Sequence, residues 1–456
     1  MRAALALVLS LVVVASAAAA TVHGGPQADR IDAADGLRQS VSCGAGADLA
    51  MVDLLDRVAS DCETVSRRIS VDPTTDPQAQ HATEVEPDSF AYGSTLVSAF
   101  QVGRFAGGGA VTIGFATTRD AGRTWRSGLL PGIGRSSDPS VAYDARHGVW
   151  LTVTLGITNG PTSIDVSRSP DGVAWSGPVH AALDTMPHYD KEWIACDNGA
   201  ASPRIGTCYV AYADLATNRL ATIASTDGGL TWSPGVDFSE VSPNLLGAQP
   251  VVEPDGTLVV LYVRPGAVVA QRSTDGGATF EPPVTVSSLQ EADPAGFRAP
   301  PAPSAEADPT GRIAIAWQDC RFRAGCAAND IVASTSSDGA TWSAPVRATR
   351  GGGTHFTPGL GLDPAGRRLA VVSYARTKAG IQAVLSTSTD GVAWTPEKQL
   401  VARPFVPASI ARAGGAFLGD YVSTSWVGGR PIAIIPLAQA PIRGRMRESI
   451  YAATTK

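Results

Sequence analysis

The segment Ser225-Thr226-Asp227-Gly228-Gly229-Leu230-Thr231-Trp232 is one of six related segments in this chain. Thr118 to Trp125 and Ser273 to Phe280 are full-length copies, and Ser169 to Trp175, Ser336 to Trp342 and Ser388 to Trp394 are shortened ones. Their central aspartates, Asp120, Asp171, Asp227, Asp275, Asp338 and Asp390, recur at intervals of 48 to 63 residues. A sustained period of about 50 residues restricts the chain to a repeat architecture, one supersecondary unit per period.

Each copy reads as a strand, a tight turn and a second strand. Asp-Gly is a hairpin signal: Gly takes positive φ at low cost and the Asp carboxylate accepts N–H groups of the turn. Strand-forming residues such as Ala221-Thr222-Ile223-Ala224 precede the turn. The closing Trp or Phe is a large apolar plug for neighbouring structure.

With Ser/Thr, Asp, Gly and aromatic positions matched six times, the segments resemble the Asp-box (BNR) repeats of sialidases and related β-propellers. The resemblance implies a secreted, bacterial-type propeller and covers most of the chain. Around each box the sequence supplies further strands, such as Val149 to Leu155 and Thr257 to Tyr262. Four antiparallel strands per unit make a propeller blade. Six box-bearing units begin near Asp88, Asp138, Asp190, Gln249, Pro303 and Pro358, and a seventh, without a box, begins near Gly419-Asp420-Tyr421. The seventh lacks a fourth strand, which Arg68 to Asp72 could supply and so close the ring. The expected fold is therefore all-β: a seven-bladed β-propeller of four-stranded antiparallel blades over 65–456, with six blades as the alternative.

Met1-Arg2 followed by an apolar run to Ala20 reads as a secretory signal peptide, 1–20, too short for a stop-transfer span. Residues 21–64 form an appendage in which Asp48 could cap a short helix bearing Leu49, Val52, Leu55 and Val58. Six cysteines suit an exported protein and fall into neighbour pairs, Cys43 with Cys62, Cys196 with Cys208 and Cys320 with Cys326. Zinc is the alternative use, but no Cys-x-x-Cys spacing occurs. A net charge of -6 offers no basic face to nucleic acid. The chain is expected to be a secreted, extracellular monomer with no membrane span.

In a four-stranded meander the box turns share a face with the first hairpins, so the linkers between blades lie on the opposite face. A propeller's central funnel is usually entered from the linker face, which makes the box aspartates structural. The linker face carries Glu84, Glu86, Asp138, Asp190 to Trp193, Arg298, His355 and Tyr421, with Gln101, Arg104, Arg321, Tyr374 and Arg376 on its turns. The loop from Cys320 to Cys326 would present Arg321 or Arg323 on a constrained scaffold.

The resemblance to sialidases implies three arginines clamping a substrate carboxylate, a tyrosine nucleophile paired with a glutamate, and an aspartate acid/base. Arg298, Arg321 and Arg376 are the matching arginines, Tyr374 or Tyr421 the nucleophile, Glu84 or Glu192 its partner, and Asp138 or Asp190 the acid/base. The family's Phe/Tyr-Arg-Ile-Pro motif precedes its first box, whereas Phe297-Arg298-Ala299-Pro300 follows the fourth box here. The expected function is an exo-acting, sialidase-like glycoside hydrolase on an anionic glycan or glycoconjugate. The alternative is a non-catalytic propeller that binds a glycan, a cell-wall polymer or a protein. No cofactor is implied and no metal ligands are assigned, with structural calcium in surface loops left open.

Overall fold

The computed structural model describes residues 20–157, 162–183, 188–294, 296–366 and 368–456. The expected signal peptide falls outside these residues except for Ala20, which opens a short strand, Ala20–His23. From residue 80 onward the chain forms the repeating units that the boxes announce. Strands Gln80–Tyr92, Thr95–Arg104, Ala110–Thr118 and Arg126–Leu129 make blade 1. Blades 2 to 6 start at Ser136, Tyr189, Leu246, Ser304 and Thr354 and repeat the same up-and-down order. Blade 7 joins Ser423–Val427, Arg430–Ala438 and Glu448–Thr455 to Thr64–Arg68 from near the other end of the chain. Thr64–Arg68 runs antiparallel to Glu448–Thr455, with Arg68 opposite Tyr451 and Thr64 opposite Thr455. The closing strand thus lies slightly earlier than Arg68 to Asp72. The protein is a β-propeller of seven four-stranded blades, closed by a blade that joins the two ends of the chain, with only short outer edges on each blade.

Apolar cores sit between adjacent blades. Leu151 and Val153 of blade 2 pack with Val210 and Ile223 of blade 3, and Val259 and Leu261 of blade 4 with Ile315 and Trp317 of blade 5.

The boxes act as clasps between these layers. In the third, Ser225 Oγ donates to Asp227 Oδ1 at 2.8 Å, and that carboxylate accepts Leu230 N at 2.9 Å, Thr231 N at 3.0 Å and Thr231 Oγ1 at 2.6 Å. Its glycines face the preceding blade: a Cβ on Gly229 would stand 2.8 Å from Leu151 Cδ2 of blade 2. Gly172, Gly276 and Gly339 stand likewise against Val97, Arg204 and Val259 of their preceding blades. Gly122 of the first box stands against Ile432 of blade 7, so the first box helps to close the ring. Ala121 beside it packs on Gly428 in the first hairpin of blade 7, which places boxes and first hairpins on one face.

The appendage is not helical. Ala20–His23, Gln39–Ser42 and Arg57–Val58 form one parallel sheet, and Arg30–Ala33, Leu49–Val52 and Thr64–Arg68 form a second. Together they make a small two-layer solenoid that extends blade 7 outward. Two causes displace the helix. Asp56 accepts Gln39 N and Asp53 N, both at 2.7 Å, so carboxylates satisfy the turn donors and compete with helical bonding. Leu55, needed for an apolar helix face, is 66% exposed. The solenoid instead buries Val41, Ala50, Val52 and the Cys43–Cys62 disulfide. Disulfides Cys196–Cys208 and Cys320–Cys326 complete the expected pairing.

Candidate functional site

The innermost strands of blades 1, 2, 3, 4 and 6 each carry a register shift near their linker-face ends. At that shift one residue takes positive φ: Glu86 at 52°, Asp138 at 47°, Lys191 at 56°, Gly247 at 66° and Thr357 at 51°. A bulge re-aims its side chain, and a left-handed non-glycine residue is a strained one that the surroundings must hold. In blades 1 to 3 the re-aimed residue is charged, and the three side chains meet.

Lys191 is the hub. Its Nζ lies 2.6 Å from Asp420 Oδ2, 3.1 Å from Asp138 Oδ1 and 3.4 Å from Glu86 Oε1. Arg298 grips the same Asp420 with two bonds, Nε to Oδ1 at 3.1 Å and Nη2 to Oδ2 at 2.6 Å. The linker that carries Arg298 is stitched to the one that carries Asp420 by Arg298 N to Ala416 O at 3.0 Å and Ala416 N to Gly296 O at 3.1 Å. Below, Gln101 donates to Glu86 and to Ser137 Oγ, and Arg104 Nη1 donates to Gln101 Oε1 at 2.7 Å. The Arg104 and Arg298 guanidiniums both lie over the ring of Phe417.

The carboxyls of this cluster are pushed apart in acidity. Burial raises Asp138, with Lys191 opposing and Asp190 and Asp420 adding repulsion. Burial likewise raises Glu86, again with Lys191 opposing. For Asp420 the effect of burial is outweighed by Lys191 and the Arg298 bonds, so its carboxyl is held below the usual range. Glu192, fully buried, is lifted well above its ordinary value by burial and then by Asp138. Carboxyls whose surroundings push their acidities apart are the arrangement from which acid/base roles are drawn. Above the cluster opens a cavity of ≈ 560 Å³ walled by Asp190, Lys191, Glu291, Phe297, Arg298 and Asp420.

Of the residues expected from the sequence, the structure brings Asp138, Asp190, Glu192, Arg298 and Tyr421 to this region. Tyr421 lies beneath Lys191, edge-on to Trp193 at 4.9 Å, and its hydroxyl donates to Pro139 O at 3.2 Å. Tyr374 lies elsewhere, buried where blade 6 packs on blade 7, with its hydroxyl donating to Pro436 O at 2.8 Å. Glu84 is buried toward Ser449 and Ser70 at the ring closure, where burial raises it to about 8. Arg321 is taken by Asp319, with Nε to Oδ1 at 2.9 Å and Nη2 to Oδ2 at 2.7 Å. Arg323 is taken by Asp330 and by Gly351 O. Arg376 braces the Arg298 linker, lying over Phe297 and donating to Pro294 O at 3.2 Å. The three arginines therefore do not converge, because two find nearer partners.

Glu86 and Lys191 are not among the site residues expected from the sequence. Their signal is the box period itself: Glu86, Asp138 and Lys191 follow one another by 52 and 53 residues, in step with the first boxes.

No protein-family model matches the chain, and no curated protein matches it by sequence. Solved structures match in fold. An ulvan lyase of polysaccharide lyase family PL25, bound to -[GlcA(1-4)Rha3S]-, has TM-score 0.52 and 11% identity, over 83% of this chain and 95% of that one. An α-L-arabinofuranosidase from Fusarium graminearum has TM-score 0.45 and 17% identity, over 71% of this chain and 97% of that one. A leech intramolecular trans-sialidase has TM-score 0.41 and 14% identity, over 83% of this chain and 68% of that one. At 11% identity the likeness to the ulvan lyase is one of fold. Fold and site together define a β-propeller with a strained, charged funnel on its linker face.

Proposed function

We propose that the protein is a secreted carbohydrate-active propeller that hydrolyses a glycosidic bond in the linker-face funnel. The observation that carries this reading is the carboxyl pair from adjacent blades. Asp190 stands on the cavity wall, and burial pushes the Asp138 carboxyl above its ordinary range, with Lys191 opposing and Asp190 adding repulsion. Glycoside hydrolysis needs two such carboxyl groups, one to give a proton and one to act as base or nucleophile. Asp138 is the acid, Asp190 the base or nucleophile, and Arg298 a donor to the sugar. Lys191, Glu86 and Asp420 hold these groups in place.

The sialidase-like form of this reading asks for an anionic glycan. Arg298 alone of the three arginines reaches the funnel, and both candidate tyrosine hydroxyls bond to backbone oxygens. These placements favour a glycan without an obligatory carboxylate. They also leave a specific reason for the binding-only reading, since the inner charges already satisfy one another. A panel of fluorogenic glycosides that includes a sialoside, run beside glycan-binding calorimetry, separates the two. Turnover that disappears in Asp190→Asn and Asp138→Asn supports hydrolysis. Binding without turnover on any substrate would sink the hydrolase and leave a glycan-binding propeller.

A further inference from the structure

A second cavity opens inside the ring on the box face, and its chemistry differs from that of the funnel. There the first strands end around a cavity of ≈ 530 Å³. Its walls include Trp193, Trp426 and the half-exposed Tyr92. Two carboxyls face it from opposite sides of the ring, Asp88 of blade 1 and Glu306 of blade 5. Asp308 also lines it, but is occupied by Thr310 and Arg312. Among the described residues no Lys, Arg or His lines this cavity, and the Arg368 guanidinium lies over the Trp426 ring at 4.7 Å.

Glu306 has no hydrogen-bond or ion-pair partner among the described residues, and Asp88 repels it across the cavity. Asp88 accepts Val141 N at 2.8 Å. Burial lifts Asp88 to about 7, and burial with repulsion from Asp88 lifts Glu306 to about 8. An enclosed carboxylate is costly without a counter-charge. A cation that entered would pair with both groups and meet the rings of Trp193 and Tyr92, as desolvated cations meet aromatic faces. The volume lies in the range of small-molecule sites, about 300–1,000 Å³.

We propose that this box-face mouth is a binding site for a small organic ammonium ion, with Glu306 and Asp88 as counter-charges and Trp193 and Tyr92 as the aromatic wall. It lies across the Trp193–Tyr421 contact from the funnel and does not rest on the hydrolase reading. Trp193 and Trp426 report occupancy through their fluorescence.

The test titrates the whole protein with choline, with spermidine and with 3,3-dimethylbutan-1-ol, the uncharged carbon analogue of choline, by calorimetry and tryptophan fluorescence. One or both ammonium compounds should bind one to one, at least about tenfold tighter than the neutral analogue. Choline alone or spermidine alone tells whether the site takes quaternary or primary ammonium. Glu306→Gln should weaken binding at least about tenfold while thermal stability is kept or raised. Tyr92→Ala, at the exposed rim, should weaken it without touching the inner wall. Equal binding of the neutral analogue, an unaltered affinity in Glu306→Gln and Tyr92→Ala, or no binding up to about 10 mM of either cation, overturns the proposal.

Discussion

Lys191 Nζ and Asp420 Oδ2, 229 residues apart in the chain, meet at 2.6 Å in the throat of the funnel. The contact joins blade 3 to the blade 6–7 linker across the ring. Each group depends on the other, because Lys191 offsets three carboxylates and Asp420 anchors both Lys191 and Arg298.

Replacing Lys191 therefore leaves buried like charges. Lys191→Met should destabilise the protein by on the order of 3 kcal/mol at pH 7, the usual cost of orphaning a buried charge. Urea unfolding read at pH 7 and pH 5 checks this. The deficit should shrink at the lower pH as Glu86 and Asp138, whose carboxyls are already raised, take up protons. An equal deficit at both would mean that the loss is one of packing.

The boxes predict acid sensitivity of the opposite sign to that of the buried acids. Hydrogen bonds hold Asp171, Asp227, Asp275 and Asp338 at about 2. Below the unfolded value, about 3.9, the unfolded chain takes up protons first, so box stabilisation is present above that pH and is lost as pH falls toward 2. The sites are solvent-facing, so each contributes modestly. Asp227→Ala should cost about 1 kcal/mol at pH 7 and nearly nothing at pH 2.5. Gly229→Ala, with φ at +81° and Leu151 in the way, should cost about 2 kcal/mol at any pH. A pH-independent effect of Asp227→Ala would remove the charge from this account.

Glu84 predicts an alkaline slope. Burial holds it at about 8 in the fold, against about 4.3 unfolded. Between those values the folded chain keeps a proton that the unfolded chain has released. The stabilisation is complete below the lower value and is lost as pH rises through the upper one. Glu84→Gln should gain on the order of 2 kcal/mol relative to wild type on going from pH 5 to pH 9. Chemical denaturation at both pH values measures the gain, and a difference that does not change with pH refutes it.

The blade count and box face were legible because Asp-Gly turns with a closing aromatic announce themselves at short range. The closing strand was legible from a deficit, since Glu448–Thr455 needs a partner that only the N-terminal region could supply. The solenoid was not. Its apolar residues recur at spacings that also suit a helix, and only the exposed Leu55 and the carboxylate-bonded turns tell them apart. The funnel was half legible: Asp138, Asp190 and Arg298 follow from the linker positions. The roles of Glu86 and Lys191 depend on bulges that re-aim single residues, and the period that relates these positions does not say which way a side chain points. Arg321 and Arg376 misled for a related reason. A guanidinium on a rim takes the nearest acceptor, and Asp319 and Pro294 O are nearer than the funnel.

The solenoid and the ring share one strand, so the three disulfides should not be equal. Cys43–Cys62 lies in the solenoid core, one turn from Thr64–Arg68, the outer strand of blade 7. Replacing both with serine should cost about 3 kcal/mol and loosen the ring closure, where Lys456 N bonds to Glu63 O at 2.9 Å. Limited proteolysis should then cut between residues 20 and 64 first and release the last strand of the chain to exchange. Cys320–Cys326 closes a loop that Arg321 and Arg323 already tie to Asp319 and Asp330. Its serine variant should lose less stability and leave hydrogen exchange in Glu448–Thr455 unchanged. If the two variants were equally stable, with the same exchange in that strand, the solenoid would be an ornament on the ring rather than its latch.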